Sequence, residues 1–567
     1  MPFRWATLAL CFSLPALAQD ASVTGLIRDI TGAPISGADV KVRSRNTNEI
    51  RSIRTGETGQ FTIAELNPDT YEITVEKAGF KLLRESGLEL EVDQTARLDL
   101  KLDIGSVEDS VEVKAESPVL NTESAARGAV ITSREMVEVP LDGRDFGDLV
   151  FLVTGVGRKA QNAQGSNFSV NGTRSDNVNF VIDGFNDRNP RGGGAEARPN
   201  LDAMQEFKVQ TTGYPAEYGR LAGGVVNMVL KSGTNDVHGA LFEFVRNDLL
   251  DARTFFDAKK SELRRNQFGA TVGGPVYLPR IYHGRNRSFF LFSWESSRQV
   301  LGMNRIGVVP TLPARTGDFS SAKDPLGNPI LLHDPLAAGT CDTKSKAACF
   351  PGNKIPANRL DGVAGRVLPY YPFPNRMNAQ NNFQINKLQD DDFNSFLFRI
   401  DHTFSMSNTL SARYLIRPTF SVLPFASGDT GQFGNITRLH QHLAGLTYTR
   451  LLSSVLVNEA RLGFSRTTED DHAVSAGIDY ASRLGIPGTA TDPRFVGFPL
   501  FTISGQSTIG DAAGQPLQYA VTNYEFADTL TLSKGSHLLK WAPMRSAAIP
   551  SRLSTIIIAA HSISSAT

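Results

Sequence analysis

The chain has 567 residues, which is long enough for several domains or for a small domain joined to a large barrel. Hydrophobic residues make up 41% and charged residues 20%, proportions that exclude a globally disordered protein. Lys and Arg together number 58, as do Asp and Glu, so the net charge is zero and no basic surplus exists to attract phosphate. Nucleic acid is therefore not an expected partner.

The first 18 residues predict a signal peptide for Sec export. Arg4 supplies a positive start, residues 6–14 a short apolar stretch, and residues 16–18 an Ala-x-Ala cleavage site. The alternative is a buried N-terminal helix. No later run reaches about 18 apolar residues, so no transmembrane helix is predicted. An exported chain without one is either soluble or a β-barrel, because only helices and closed barrels satisfy their backbone polar groups in lipid.

The cysteines favour a disulfide over a metal site. Cleavage after the signal peptide would remove Cys11 and leave Cys341 and Cys349 in one polar segment. An oxidising compartment favours a local disulfide between these two. A zinc site would need more Cys or His at ligand spacing, and none lies nearby, so no metal site is predicted.

Residues 19–104 predict a small β-sandwich. Short runs of alternating apolar and polar residues are separated by turns that contain Gly and Pro, a pattern typical of sandwiches. The predicted strands are 22–27, 38–42, 60–63 and 71–75.

Residues 105–116 form an acidic connector. Valines alternate with acidic residues over 106–113, so this segment has the form of a strand that adds to the sheet edge of another protein. The alternative is an ordinary linker, or the last strand of the preceding domain.

Residues 117–235 are polar and rich in glycine, with short strand-like runs at 179–182 and 206–209. This composition fits a small soluble α/β domain, and it also fits a plug inside a water-filled barrel.

Residues 236–541 alternate apolar and polar side chains over stretches of about ten residues, with aromatic residues near the ends, which is typical of transmembrane β-strands. A soluble sandwich alternates as well. The export signal and the long polar segment at 310–382 favour the membrane barrel. The clearest predicted strands are 290–294, 395–404, 409–417, 456–465 and 523–532.

The sequence gives no positive case for catalysis. Motifs for a nucleophile elbow, a phosphate-binding loop and a zinc peptidase do not occur, and the acidic runs fit solvated loops better than a general acid–base pair. We therefore expect neither an enzyme nor a cofactor.

Two sets of motifs resemble known families. Residues 37–40, 58–61 and 78–80 resemble the carboxypeptidase regulatory-like domain, which has a transthyretin-like, carbohydrate-binding-like fold. The central motifs are similar to the plug of TonB-dependent receptors, in particular the Oar-like subgroup, and the similarity continues in consistent order to residue 541. Thr154 is a departure, because the family usually has proline there. The central motifs are 170–175, 180–184, 204–210, 216–220, 223–227 and 231–235.

The resemblance implies a mainly β fold: an N-terminal transthyretin-like β-sandwich, an α/β plug domain and a partial antiparallel transmembrane β-barrel. It implies a cell outer membrane location with the N-terminal domain in the periplasm. It also implies energy-coupled uptake of an unidentified extracellular ligand, such as a carbohydrate or a peptide. The implied partners are outer-membrane lipid and a TonB-type periplasmic energy-coupling protein. For the sandwich, a role as spacer or partner contact and a role in sugar binding are both consistent with the fold.

The resemblance also suggests functional residues. By position, the candidate TonB box is Glu108, Asp109, Ser110, Val111, Glu112 and Val113. The plug motif comprises Arg174, Asp183, Gly184, Glu206, Glu217, Tyr218, Gly219 and Arg220. The charged members of the plug motif are expected to hold a movable plug by polar contacts with a polar lumen, or only to stabilise the plug itself.

The strand count departs from the family pattern. Transporters of this kind close with about 22 strands, whereas roughly nine are predicted here between residues 237 and 541. The alternation stops after Trp541, and the tail at 542–567 is rich in Ser, Ala and Ile. We expect a truncated copy with an interrupted or out-of-frame end, and a smaller closed barrel is the alternative. The alternative function is an outer-membrane adhesion or scaffold protein without transport.

Overall fold

The computed structural model describes the part of the chain within 21–551, with gaps. The predicted signal peptide, including Cys11, lies outside the described residues. In the part that is described, no helix combines the length and apolar character needed to cross a bilayer. The described ranges are 21–105, 110–114, 125–159, 166–189, 192–215, 218–219, 221–253, 255, 260–324, 327–378, 381–425, 430, 433–453, 455–534 and 537–551.

The N-terminal domain is a β-sandwich. A three-stranded sheet of order β4-β1-β7 and a five-stranded sheet of order β3-β2-β5-β6-β8 share one apolar core, because alternate residues of both sheets are buried together. Its strands are β1 Ala21–Asp29, β2 Asp39–Ser44, β3 Ile50–Arg54, β4 Gln60–Leu66, β5 Asp69–Glu76, β6 Leu82–Leu90, β7 Thr95–Leu102 and β8 Ser110–Lys114.

Strand β8 lies within the acidic connector. It pairs in parallel with β6, from Leu82 opposite Ser110 to Ser86 opposite Lys114, and it is the outermost described strand of its sheet. Residues 110–114 of the candidate box region are thus the last strand of the sandwich sheet.

The plug is built around a five-stranded mixed sheet of order β13-β12-β15-β14-β9, in which β12 and β15 run parallel. Helix α1 begins at a capping box, where Thr132 and Glu135 bind each other's backbone N–H groups. Short 3-10 helices lie at Val150–Leu152, Ser175–Asn177 and Leu201–Ala203. The other elements are β9 Arg127–Thr132, α1 Ser133–Glu138, α2 Phe146–Leu149, β10 Val156–Arg158, β11 Phe168–Val170, β12 Asn179–Ile182, β13 Phe185–Asn186, β14 Met204–Thr212 and β15 Val225–Leu230.

The third unit is an antiparallel sheet that we call the wall. Its order is β16-β17-β20-β21-β22-β23-β24-β25-β26, with β27 also pairing with β25, and a small hairpin, β18–β19, projects from it. The strands are β16 His238–Asn247, β17 Leu263–Pro275, β18 Tyr277–Leu278, β19 Tyr282–His283, β20 Ser288–Gly307, β21 Phe383–Ser405, β22 Asn408–Leu423, β23 Asn435–Ser453, β24 Leu456–Ala473, β25 Leu517–Lys534, β26 His537–Trp541 and β27 Met544–Ser551.

The wall has two different ends. At the short-turn end, adjacent strands lie close in sequence, since β21 ends at Ser405 and β22 begins at Asn408, and β23 ends at Ser453 and β24 begins at Leu456. At the long-loop end, the connections are 308–382, 424–434 and 474–516, and the first and last of them include short helices. These are α3 Leu312–Arg315, α4 Gly362–Val367 and α5 Tyr480–Leu484, with 3-10 helices at Pro351–Asn353, Ala357–Arg359 and Leu368–Tyr370.

The tail is partly structured, which corrects the expectation that the strand pattern ends at Trp541. Strand β27 pairs with β25, from Met544 opposite Ala527 to Ser551 opposite Ala520. Backbone hydrogen bonds form this pairing and do not require the aromatic alternation that the earlier strands show. Residues beyond 551 lie outside the description.

The wall has the reverse burial of a soluble sheet. On β21, Phe398 and Ile400 are 47% and 55% exposed, whereas Arg399 between them is only 5% exposed. An apolar row runs across this face of the wall, because each member is paired with the next one on the adjacent strand. The row is Ile400, Ala412, Leu446, Leu462 and Phe526. Apolar side chains outside and polar ones inside are the arrangement of a membrane barrel wall. The prediction of a mainly β fold with sandwich, plug and transmembrane wall is confirmed.

We predict that Ile400→Arg lowers the free energy of unfolding from a bilayer by about 2 kcal/mol, because it places a charge on the lipid-facing side. The matched control is Ile503→Arg, since Ile503 is 44% exposed but lies in the 474–516 loop. The control should change stability by less than about 0.5 kcal/mol. Urea titration of the chain refolded into phosphatidylcholine vesicles measures both, and equal losses would contradict a lipid-facing position for Ile400.

Candidate functional site

The plug touches the wall through the tight turn between β12 and β13. Ile182 pairs with Phe185, so Asp183 and Gly184 form a two-residue hairpin loop. Both have positive φ, at 43° and 82°, as a type I′ turn requires. Asp tolerates this conformation better than most residues, and Gly adopts it without steric cost. The turn therefore directs a carboxylate and an aromatic ring at the wall.

The Asp183 carboxylate is buried between two arginines of the wall. Its Oδ2 lies 2.7 Å from a guanidinium nitrogen of Arg413 and 3.3 Å from one of Arg399. Its Oδ1 accepts the backbone N–H of Leu230 at 2.9 Å. All three charged side chains are at most 6% exposed, so this ion cluster is shielded from water. Removing the Asp183 carboxylate would leave the two guanidinium groups without their shared counter-charge in a region of low dielectric.

Both arginines are also held by other groups. Arg399 donates to the Asp401 carboxylate at 2.9 Å and to the Leu230 carbonyl oxygen at 2.8 Å. Arg413 donates to the Asp183 carbonyl oxygen at 3.1 Å and to Thr447 Oγ1 at 2.9 Å. Wall residues therefore orient the guanidinium groups toward the plug turn.

A second buried ion pair lies beside the first. Arg461 is 3.0 Å from Glu459 on the same strand, and it donates to the Gly184 carbonyl oxygen at 3.4 Å. The wall thus binds the backbone of the plug turn as well as the Asp183 side chain.

The turn fits a row of inward-facing residues that lie opposite one another on five strands. The row is Arg399, Arg413, Gly445, Gly463 and Glu525. The two glycines leave space that the ring of Phe185 occupies, because a Cβ atom added at Gly445 or Gly463 would lie 2.5 Å or 2.7 Å from that ring.

The Phe185 ring is enclosed on its other sides as well. The guanidinium of Arg413 lies 5.1 Å from the ring centroid, and the next residue, Asn186, donates its N–H to Glu525 at 3.2 Å. We call this set of contacts the turn socket.

The plug–wall contact is not polar throughout, which corrects the expectation of a purely polar seal. Leu291, Leu397, Leu415 and Leu443 of the wall are buried in the same apolar cluster as the plug core. The expectation treated every inward wall position as polar, but four strands place a leucine against the plug. The apolar seam excludes water, and the ion cluster supplies orientation.

The wall also binds the plug near the long-loop end. Asp142 of the plug pairs with Arg246 of β16 at 2.8 Å and also with Arg265 of β17. The hydrogen bond from Arg246 and the neighbouring Arg265 lower the pKa of the Asp142 carboxyl. This ion pair is solvent-exposed, so it contributes less than the buried Asp183 cluster.

Glu206 and Tyr218 of the plug motif face the sandwich, not the wall. Glu206 accepts the backbone N–H of Val92, and Tyr218 donates its hydroxyl to Asp93 at 2.6 Å. Burial raises the pKa of Glu206 to about 8, and the nearby Lys208 opposes part of that rise. The expected contact of Glu206 with the lumen is therefore not present.

The remaining motif residues are dispersed. Arg174 is exposed and pairs with Asp176 two residues away at 2.7 Å. Gly219 follows Tyr218 and is partly exposed. Glu217 and Arg220 lie outside the described residues, as do Glu108 and Asp109 of the candidate box. For Ser110, Val111, Glu112 and Val113 the structure gives the backbone pairing of β8.

The long loops carry their own core. Cys341 and Cys349 form a disulfide within the 308–382 loop. Buried aromatic and aliphatic residues of three loops pack around Phe498, including Phe433, Leu484 and Ile509. In the described ranges, no cluster of three or more His, Cys, Asp or Glu side chains could hold a metal ion.

Comparison with known families agrees with this three-part architecture. The family profile described as "Outer membrane beta barrel domain" matches residues 229–541. Profiles for "Carboxypeptidase regulatory-like domain" and "TonB-dependent Receptor Plug Domain" match 22–103 and 121–226. The chain belongs to the TonB-dependent receptor family. The receptor is accordingly a protein of the cell outer membrane, and the family prediction from the motifs is confirmed.

Individual relatives are distant. The receptor is 26% identical over 292 residues to the TonB-dependent transporter Oar of Myxococcus xanthus, covering 48% of this chain. It spans 27% of the length of that relative. Among solved structures, the outer membrane transporter YddB of Escherichia coli has 10% identity and a TM-score of 0.43, covering 74% of this chain and 47% of that one. A ferric enterobactin receptor mutant of Pseudomonas aeruginosa has 13% identity and a TM-score of 0.40, covering 74% and 48%.

Sequence reasoning identified Asp183 and Gly184 but missed their partners. Arg399, Arg413 and Arg461 lie in the predicted strands 395–404, 409–417 and 456–465, where the alternation identifies them only as polar positions. The available signal was that arginines on the inward side of three different wall strands need an acidic partner, because buried charges are found paired.

We predict that Asp183→Asn destabilises the receptor by about 3 kcal/mol, because two buried guanidinium groups lose their shared carboxylate. Asn tolerates the positive φ at this position, so the backbone conformation is retained. The control is Asp176→Asn, which breaks a pair with the exposed Arg174 and should cost about 0.5 kcal/mol. Thermal unfolding of the purified receptor measures both variants. Similar effects would show that the buried cluster does not fasten the plug.

We predict that Gly445→Ala destabilises the receptor by about 2 kcal/mol, because the new methyl group overlaps the Phe185 ring. Adding Phe185→Leu should recover part of the loss, since the smaller side chain leaves room. The control is Gly365→Ala, a position with open space around it. A double-mutant cycle from urea unfolding gives the coupling, and strictly additive effects would contradict contact between the two positions.

Proposed function

We propose that the receptor takes up an extracellular ligand through the outer membrane by energy coupled from the periplasm. The observation that carries the proposal is the turn socket: a plug with its own sheet is fastened to the inside of the wall by a compact set of contacts around Asp183. A plug held at defined points can be displaced as a unit when those contacts are broken.

The orientation follows from the two ends of the wall. In barrels of the outer membrane, short turns face the periplasm and longer loops face outward. The long loops with the Cys341–Cys349 disulfide would then meet the ligand. The sandwich contacts the short-turn end through Thr62 and Ser533, which would place it in the periplasm.

The proposed coupling partner is a TonB-type periplasmic protein that acts on the connector at 106–113. Strand β8 supports this proposal because its outer edge is unpaired among the described strands, so another strand can be added to it. The ligand is assigned only as an extracellular solute. Carbohydrate, peptide and, by analogy with the ferric enterobactin receptor, metal chelate are the classes to be compared.

We predict that a photo-cross-linking residue at Val111 forms an adduct with the TonB-type protein in living cells. The control is the same residue at Ile30, which is 61% exposed on the same sandwich. Deleting residues 107–113 should abolish energy-dependent uptake in a panel of ferric enterobactin, maltoheptaose and casein peptides. It should leave the amount of folded receptor in the outer membrane unchanged.

The outcome separates transport from the scaffold alternative. An adduct at Val111 but not at Ile30, together with uptake that needs residues 107–113, supports the transport proposal. No adduct at either position, with folded receptor in the outer membrane, would contradict energy coupling and favour a surface scaffold.

A further inference from the structure

The turn between β6 and β7, residues 91–94, is inserted into the plug. Val92 is fully buried although it lies in a turn, and Asp93 has a positive φ of 55°. Turn residues of a small sandwich are ordinarily exposed, so this burial arises from another part of the molecule. The plug supplies it through Glu206 and Lys208 on β14, Asn227 on β15, and Tyr218.

The contact is a dense set of directed hydrogen bonds. Lys208 donates to the carbonyl oxygens of Val92 at 2.9 Å and Asp93 at 3.3 Å, and Glu206 accepts the N–H of Val92. The Asp93 carboxylate receives the Tyr218 hydroxyl at 2.6 Å and the Asn227 amide at 3.0 Å. The plug therefore forms hydrogen bonds with both the backbone and the side chain of this turn.

The recess of the plug that holds this turn is lined by polar side chains, and their polarity determines how readily the turn can leave it. Asn227 and Tyr218 are fully buried, and Glu206 and Lys208 are less than a tenth exposed. When such groups separate, water replaces each hydrogen bond, so the net contribution of each bond is small compared with its strength in an apolar medium. An apolar core of the same size would resist separation more strongly, because its exposed surface gains no such compensation. The geometry is suited to reversible release.

Two other contacts hold the sandwich independently of this turn. Asn235, which leads into β16, donates to the Thr47 carbonyl oxygen at 2.7 Å. Thr62 and Ser533 share a hydrogen bond at 2.8 Å. The sandwich therefore remains attached to the wall when the Asp93 turn leaves its recess.

We propose that the sandwich is a latch on the plug: the Asp93 turn holds the plug in place, and tension on the connector releases it. Strand β8 pairs with β6, and β6 leads directly into the latch turn. A force applied to residues 110–114 would therefore reach Asp93 through one strand, β6. The tension step rests on the proposed function, whereas the latch contact does not.

A cysteine in the recess tests the latch directly. Cys341 and Cys349 are joined, so Asn227→Cys adds a distinguishable thiol at a position that is buried beneath the turn. The full receptor in opened outer-membrane vesicles is treated with a maleimide. Adding Asp93→Gly, which keeps the positive φ and removes the carboxylate, should raise the labelling rate at least about tenfold. Tyr218→Phe, which removes only the hydroxyl, should raise it in the same direction.

The control is Arg280→Gly, which also replaces a residue of positive φ in a turn but lies on the β18–β19 hairpin. It should leave the labelling rate unchanged. A rate that neither Asp93→Gly nor Tyr218→Phe increases, in folded receptor, would overturn the latch.

Labelling in living cells tests the tension step. The thiol at 227 should react faster when the inner membrane is energised than after an uncoupler is added, and deletion of 107–113 should remove the difference. If Asp93→Gly exposes the thiol but energisation does not, the latch stands and release by tension is overturned. If uptake fails while the latch responds to Asp93→Gly, the proposed transport function alone fails.

Discussion

Burial of the Asp183 carboxylate between Arg399 and Arg413 is the interaction on which the plug's position depends. A charge removed from water needs partners at short range, and the wall supplies two of them from adjacent strands. This requirement fixes the position of the plug along the strands of the wall. The two arginines lie opposite each other in the register of β21 and β22, so the carboxylate can reach both at only one level. It also fixes rotation, since the carboxylate projects from a turn whose backbone is bound by Arg461.

The wall can supply such partners because its two faces meet different surroundings. The lipid-facing row through Ile400 and Leu462 is apolar, and the adjacent inward row carries arginines, glycines and Glu525. Strand pleating makes this possible, as neighbouring residues point to opposite faces. Two glycines in the inward row thin the wall locally and admit Phe185. The charged residues orient the plug turn in the socket, and the two glycines leave the space that the Phe185 ring fills.

Much of the fold was predictable from the sequence, since period-two alternation and turn residues depend only on local order. The strands at 395–404 and 456–465 lie inside β21 and β24. The socket was not predictable, because Asp183 and Arg413 are 230 residues apart and only strand register brings them together. Strand β27 was missed for a related reason: backbone pairing with β25 needs no alternating side chains.

Strand β15 connects the two fastenings of the plug. Asn227, within β15, binds the Asp93 turn of the sandwich, and Leu230, at its end, donates to Asp183 and accepts from Arg399. A displacement of β15 by about one hydrogen-bond length would therefore disturb both contacts, because such bonds weaken steeply with distance and angle. The chain then continues from β15 to Asn235, which the sandwich also binds. One short strand thus links the sandwich, the plug and the first strand of the wall.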